Sequence, residues 1–87
     1  MKTVTMYHTS TCPYCVQAEQ LLKRHGVAQI TKINIEADDA LRSQMQTRTG
    51  RRTVPQIFIE DLHVGGFDDL SVLAQQKQLP ALLLGAQ

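Results

Sequence analysis

The stretch of sequence that decides the fold is TVTMYHTSTCPYCVQAEQLLKRHG, residues 3–26. Its first five residues alternate polar and apolar side chains and include β-branched ones, which predicts a strand over 3–7 and a polar connection over 8–11. Because proline suits the first helical position, a helix is predicted from Pro13, with apolar side chains recurring at helical spacing. Gly26 provides the left-handed residue that ends this helix. The two cysteines of the chain therefore lie where a strand passes into a helix.

Turn residues divide the rest of the chain into six further elements. They are a strand at 30–35, a helix from 38 that Gly50 closes, a strand at 56–59, a strand at 62–64, a helix capped by Asp68 or Asp69, and a short helix at 79–84 broken at Pro80. The βαβ unit requires a parallel strand pair with a right-handed crossover, and the hairpin adds antiparallel strands. We therefore expect an α/β fold with one mixed four-stranded sheet (βαβ, then α, β-hairpin, α) flanked by helices, in a single domain over residues 1–87.

Composition excludes several classes of protein. Nine Lys+Arg residues against eight Asp+Glu give a net charge of +1, which argues against a uniformly basic nucleic-acid binder. The longest apolar run, 81–84, is far below the ~20 residues that span a bilayer. Behind Met1 and Lys2 no signal-peptide core is recognisable, so the predicted location is the cytoplasm, where structural disulfides are rare.

The Cys-X-X-Cys motif at 12–15 carries the chemistry. Unpaired N–H groups at the start of a helix favour a thiolate, and cysteines in such motifs titrate at about 3.5–7.5 instead of about 8.5. Cys15 lies one helical turn after Cys12, close enough for a disulfide but pointing back under the first turn. These positions predict that Cys12 is the attacking nucleophile and Cys15 the resolving thiol.

Three alternatives compete with a redox pair. A purely structural disulfide would close so small a loop that it would stabilise the folded protein by only about 2 kcal/mol. A zinc site needs four ligands, and of the nearby candidates, His8 and His25, the second would lie about 15 Å from Cys12 along the helix. The third alternative is a pair of buried, inert cysteines. A Cys-X-X-Cys that follows a strand and opens a helix favours redox chemistry over all three.

Three motifs in order and at matching spacing carry a family resemblance: CPYC at 12–15, TVP at 53–55 and GGFDD at 65–69. Together they resemble the dithiol glutaredoxins, most of all the short bacterial class called glutaredoxin 3, over essentially the whole chain. The resemblance implies the thioredoxin fold and a glutathione-disulfide oxidoreductase. Such an enzyme reduces protein disulfides and protein–glutathione mixed disulfides, with glutathione as co-substrate and no metal.

The resemblance also implies a set of glutathione-binding residues, namely Tyr14, Arg42, Thr53, Val54, Pro55, Gly66, Asp68 and Asp69. Val54, before a cis proline, would offer its main chain to the cysteinyl unit. Main-chain N–H groups of Asp68 and Asp69 would hold the γ-glutamyl carboxylate, and the Asp69 side chain its ammonium. Arg42 would hold the glycyl carboxylate.

Each of these binding roles has an alternative in which the residue serves only the structure. Pro55 could be a trans proline that opens a strand, one of the aspartates could only cap a helix, Arg42 could be solvated, and Tyr14 could pack inward. Arg48, Arg51 and Arg52 are predicted to form a local basic cluster that raises the potential beside the site.

Two positions depart from the family pattern. Many glutaredoxins carry a lysine three residues before the first cysteine, whereas this chain has Thr9 there, preceded by His8. Phe67 stands where a small or thiol residue often follows the two glycines, which adds an apolar wall.

Two alternative functions follow from the same resemblance. One is a glutathione-ligated [2Fe–2S] carrier, against which Pro13 and the available Cys15 weigh; the other is a donor recharged by thioredoxin reductase. The expected partners are glutathione and disulfide or glutathionylated proteins, with ribonucleotide reductase as a family substrate. We expect a monomer that binds neither nucleic acid nor membrane.

Overall fold

The computed structural model describes residues 1–85, and its elements follow the predicted order. They are β1 (Val4–His8), α1 (Pro13–Arg24), β2 (Ile30–Asn34), α2 (Asp39–Thr49), β3 (Gln56–Ile59), β4 (Leu62–Gly65), α3 (Phe67–Gln75) and α4 (Leu79–Leu84). Asp38 caps the start of α2 through a bond from the Leu41 N–H to its side chain, and Gly50 ends that helix in the left-handed conformation with φ 69°.

The four strands form one mixed sheet in the order β2-β1-β3-β4. β1 pairs with β2 in parallel, whereas β3 is antiparallel to both of its neighbours, β1 and β4. This arrangement is the thioredoxin fold that the family resemblance implied. The prediction of a mixed four-stranded sheet flanked by helices is confirmed.

The central strands bury both of their faces. On one face Met6 and Ile57 pack with Leu22, Leu70 and other side chains of α1, α3 and α4. On the other face α2 covers a second cluster, formed by Tyr7, Ile35, Met45 and Phe58. Because successive strand residues point to opposite sides, Met6 and Tyr7 supply one side chain to each cluster.

Several predicted boundaries need correction. β1 extends to His8, which was expected in a polar connection, because it pairs with Asn34 of β2. Ile35 lies just past β2, yet it is fully buried in the cluster under α2. Neither Asp68 nor Asp69 is the residue that caps α3; Gly66 is. Pro80 does not break the last helix, because it lies in the first turn of α4, where a missing N–H costs nothing.

Candidate active site

The directions of the strands bring the three motifs to one edge of the sheet, namely the edge at which β1 ends. β1 ends at His8 and leads into the first cysteine. Because β3 is antiparallel to β1, its start, after Pro55, lies at that same edge. β4 is antiparallel to β3, so its end at Gly65 also comes there, and α3 begins immediately afterwards. Segments some 40 and 50 positions downstream of Cys12 therefore meet it in space.

The cysteines form a disulfide at the head of α1, with their Cα atoms 5.2 Å apart. Cys12 is the N-cap residue, and its sulfur accepts a hydrogen bond from the Cys15 N–H at 3.1 Å. Cys15 is only 4% exposed, whereas Cys12 is partly accessible. The Cys12 Sγ also lies 3.9 Å from the carbonyl oxygen of Val54. An incoming thiolate therefore meets Cys12 first and displaces Cys15 as a thiolate. When Cys12 is itself released as a thiolate in a later exchange, its negative charge faces an N–H group.

A groove of about 260 Å³ opens beside the disulfide. Its lining comprises Tyr14, Arg51, Thr53, Val54, Pro55, Gly66, Phe67, Asp68 and Asp69. The Val54–Pro55 bond is cis, as the resemblance implied. Tyr14 is 58% exposed, with its ring centroid 6.1 Å from that of Phe67, so the two rings form an aromatic wall. Seven of the eight residues predicted to bind glutathione line this one groove.

Asp69 carries a negative charge in the groove that hydrogen bonds hold in place. Its Oδ2 accepts hydrogen bonds from the Gly66 N–H and from Arg51 Nη1, both at 2.9 Å. The Arg51 bond, followed by the Gly66 bond, lowers the pKa of this carboxyl below its ordinary value. A Cβ added at Gly65, where φ is 115°, would fall on the Asp69 carboxylate, so glycine is required there.

The arginines are distributed differently from the cluster that the sequence predicted. Arg51 enters the groove, but Arg48 donates to the Tyr7 hydroxyl at 2.9 Å and stacks over the Phe58 ring at 4.1 Å. Arg42, the eighth predicted ligand, donates from Nη2 to the Ile35 carbonyl at 3.3 Å, and among residues 1–85 it is not part of the groove lining. The partnership of Arg51 with Asp69 was missed, because no pattern in the sequence links the two positions.

A second cavity, of about 140 Å³, borders the cysteines. His8, Thr9 and Cys12 are among its lining residues. Thr9, at the position where the family often has lysine, therefore faces the same space as the attacking sulfur. His25, the other histidine considered for zinc, lies at the opposite end of α1 from Cys12, where it caps the helix.

Fold and cysteine pair together define a thiol–disulfide oxidoreductase. The family model described as Glutaredoxin matches residues 4–64. The chain is 48% identical over 83 residues to a glutaredoxin of Neisseria meningitidis, covering 95% of this chain and 98% of that one. It is 45% identical over 83 residues to glutaredoxin 3 of Escherichia coli, covering 95% and 99%. The chain belongs to the glutaredoxin family.

A solved structure supports the same assignment. The crystal structure of a buckwheat glutaredoxin–glutathione complex superposes with a TM-score of 0.87 at 26% identity, covering 97% of this chain and 78% of that one. Across residues 1–85, no helix has the length and apolarity needed to cross a membrane.

Proposed function

We propose that this protein reduces protein–glutathione mixed disulfides and protein disulfides, with glutathione as the reductant. The observation that carries the proposal is the groove itself. The partly accessible sulfur of Cys12, at the head of α1, lies beside the main chain of Val54, and Val54 lines the same groove as the carboxylate of Asp69. Glutathione is a short extended tripeptide with charges at both ends, and the groove offers matching groups. That a related buckwheat protein was crystallised as a glutathione complex supports the same ligand here.

The reaction on a glutathionylated protein takes two exchanges. The Cys12 thiolate attacks the glutathione sulfur, a Cys12–glutathione disulfide forms, and the protein leaves as its thiolate. The thiolate of a second glutathione then attacks the bound glutathione sulfur, which releases glutathione disulfide and restores the Cys12 thiolate. In total, one mixed disulfide and one glutathione thiol become one protein thiol and one glutathione disulfide. Only the sulfur of Cys12 takes part, so this route does not need Cys15.

A protein disulfide takes the dithiol route. Cys12 forms a mixed disulfide with one protein sulfur, and Cys15 then attacks Cys12, releases the second protein thiolate and closes the Cys12–Cys15 bond. The burial of Cys15, at 4% exposure, suits a thiol that attacks only its neighbour. Two glutathiones reduce the disulfide again.

The tripeptide is proposed to lie across the groove with its cysteine over Cys12. Val54 supplies main-chain hydrogen bonds to the cysteinyl unit, as one strand does to another. Asp69 holds the γ-glutamyl ammonium, and the N–H groups of Asp68 and Asp69 at the start of α3 hold its carboxylate. Thr53, Pro55, Gly66 and Tyr14 form the walls.

The glycyl carboxylate is assigned to Arg42. Its present acceptor is a neutral carbonyl at 3.3 Å, which a carboxylate would replace with a stronger, charge-assisted bond.

The proposed setting is the cytoplasm, with the protein acting as a monomer on disulfide or glutathionylated proteins. Ribonucleotide reductase is the candidate protein substrate that the family suggests. The two-cysteine centre, with Pro13 between the cysteines, favours exchange chemistry over the [2Fe–2S] carrier.

The test is a coupled assay with glutathione and glutathione reductase, run on the native sequence, Cys12→Ser and Cys15→Ser. Cys12→Ser should lose all activity, because the remaining cysteine, Cys15, is only 4% exposed and cannot reach a substrate disulfide. Cys15→Ser should keep much of the deglutathionylation while losing reduction of protein disulfides. Equal losses in both variants and both assays would contradict the roles. A parallel reaction driven by thioredoxin reductase, if it sustained turnover where glutathione did not, would overturn the choice of reductant.

A further inference from the structure

Gln56 is a fully buried polar side chain at the start of β3, directly after Pro55. Its Nε2 donates to the Thr53 carbonyl at 3.0 Å and lies 3.5 Å from the Thr53 hydroxyl. Its Oε1 lies 2.7 Å from Nε2 of His63, on the neighbouring strand β4. A buried amide with both ends paired connects the hairpin of β3 and β4 to the loop that forms the groove.

The chemistry of the partners fixes the direction of these bonds. A carbonyl oxygen only accepts, so the amide nitrogen of Gln56 must face Thr53 and its oxygen must face His63. His63 must then carry a proton on Nε2 and donate it to Gln56. The His63 ring is itself held in place, with its centroid 5.1 Å from that of Phe58. Burial, followed by the charge of Arg51, lowers the pKa of His63, which favours the neutral ring. A neutral ring that donates to Gln56 carries its single proton on Nε2.

Thr53 has no strand partner of its own, because β3 begins only at Gln56. The carbonyl that Gln56 holds belongs to the peptide unit whose nitrogen is that of Val54. Fixing this carbonyl therefore fixes the orientation of the Val54 N–H, one of the main-chain groups assigned above to the cysteinyl unit. A ligand that meets a fixed N–H does not spend binding free energy on ordering the loop.

We propose that Gln56 and His63 are positioning residues, which hold the Thr53–Val54 peptide in the orientation that receives the cysteinyl unit of glutathione. The proposal rests on the proposed function, since it assigns a role in that same groove. Neither side chain needs to touch the ligand; His63 acts through Gln56, and Gln56 acts through Thr53.

The test compares four variants. Gln56→Leu removes both bonds at similar volume, and His63→Phe removes only the donor while keeping an aromatic ring beside Phe58. His63→Gln restores a donor, because its amide nitrogen can occupy the place of Nε2. Tyr7→Phe is the control: Tyr7 lies opposite Gln56 on the neighbouring strand, but its hydroxyl bonds Gln44 and Arg48 and bonds neither Gln56 nor His63.

Each variant is assayed for KM and kcat with a glutathionylated peptide and, in parallel, for its rate with a neutral aromatic disulfide. Gln56→Leu and His63→Phe should raise KM for the peptide by about five- to tenfold, the effect of roughly one lost buried hydrogen bond. Both should leave the neutral disulfide within about twofold of the native rate. His63→Gln should return most of the lost affinity, and Tyr7→Phe should leave KM unchanged.

Ring-nitrogen NMR gives an independent readout that general destabilisation would not produce. The native protein should show His63 protonated on Nε2, and Gln56→Leu should shift that signal. A peptide KM within twofold of native in both Gln56→Leu and His63→Phe would overturn the proposal, as would parallel losses with the two substrates. If Gln56→Leu fails to fold, the result with His63→Phe decides, because His63 is only half-buried and its replacement is less disruptive. Failure of the proposed function is distinguishable, because the native protein would then show no glutathione-dependent turnover.

Discussion

Replacing Asp69 with asparagine tests the negative charge that this side chain places in the groove. The variant keeps an oxygen for the Gly66 N–H but loses the ion pair with Arg51, both bonds being 2.9 Å in the native protein. The two ion-pair side chains are 47% and 44% exposed, so solvent screening limits that pair to about 0.2–1 kcal/mol. Turning a charge-assisted bond to Gly66 into a neutral one removes about 1 kcal/mol more. We expect the free energy of unfolding to fall by about 1–2 kcal/mol at pH 7.

The pH dependence of this loss has a definite sign. Because the folded pKa of Asp69 is lowered, its stabilising effect is fully present above the unfolded value of about 3.9 and is lost as the pH falls through the folded pKa. The difference between native protein and Asp69→Asn should therefore shrink in acid. Urea unfolding at pH 7 and at pH 3 measures it. Asp61→Asn, which makes the same charge change on an exposed turn, is the control.

The same substitution should weaken glutathione recognition. A neutral amide in place of the carboxylate loses about 1 kcal/mol or more with the γ-glutamyl ammonium, so kcat/KM for a glutathionylated peptide should fall roughly five- to tenfold. Arg42→Ala should cost less, since Arg42 has to give up its bond to the Ile35 carbonyl before it can bind the glycyl carboxylate. A neutral aromatic disulfide should react at nearly the native rate in both variants. Parallel slowing of both substrates would refute the reasoning, because it would mean that the changes act through the fold or the thiol.

Three other substitutions test neighbouring features. Thr9→Lys adds a positive charge on a cavity wall shared with Cys12, so alkylation of Cys12 at pH 6 should become faster; an unchanged rate would contradict it. Gly65→Ala should destabilise by about 2 kcal/mol or more, as its Cβ collides with Asp69 at a positive φ, and a native-like urea midpoint would show that the turn adapts. Arg48→Met should cost about 1–2 kcal/mol of stability through its lost stacking and hydrogen bond, while exchange rates stay native.

Local signals explain why the order of elements and the cysteine site were predictable. Proline after Cys12 and glycine after the helix mark both ends of α1 from neighbouring residues alone. Apolar residues between turn signals mark the strands, and antiparallel pairing of β3 with β1 and β4 then brings TVP and GGFDD to the cysteines. The meeting of the three motifs could be predicted, because it depends only on the order and direction of the strands. The role of Gly66 as the cap of α3 could not be predicted, because it involves the side chain of Asp69, which lies inside the helix and accepts a hydrogen bond from the Gly66 N–H.

The side-chain partners depended on contacts between distant positions. Gln56 lies in a run of apolar residues, where its polarity marks it as unusual but does not name Thr53 or His63 as its partners. Ile35 lies just past a strand, and only the packing of α2 across the sheet buries it. In each case the deciding neighbour comes from another element, so no local pattern contains it.

The arginines show why charges that are close in sequence cannot be added together as one patch. Arg48 lies in the last turn of α2, on the side that faces the sheet, where an aromatic ring and a tyrosine hydroxyl hold it. Two residues later Gly50 turns the chain through a left-handed conformation, and Arg51 then points towards Asp69 in the groove. One glycine therefore separates a cation that supports the fold from a cation that borders the ligand site. The electrostatic contribution of this segment to the groove comes from Arg51, and it is already partly neutralised by the carboxylate that glutathione is proposed to use.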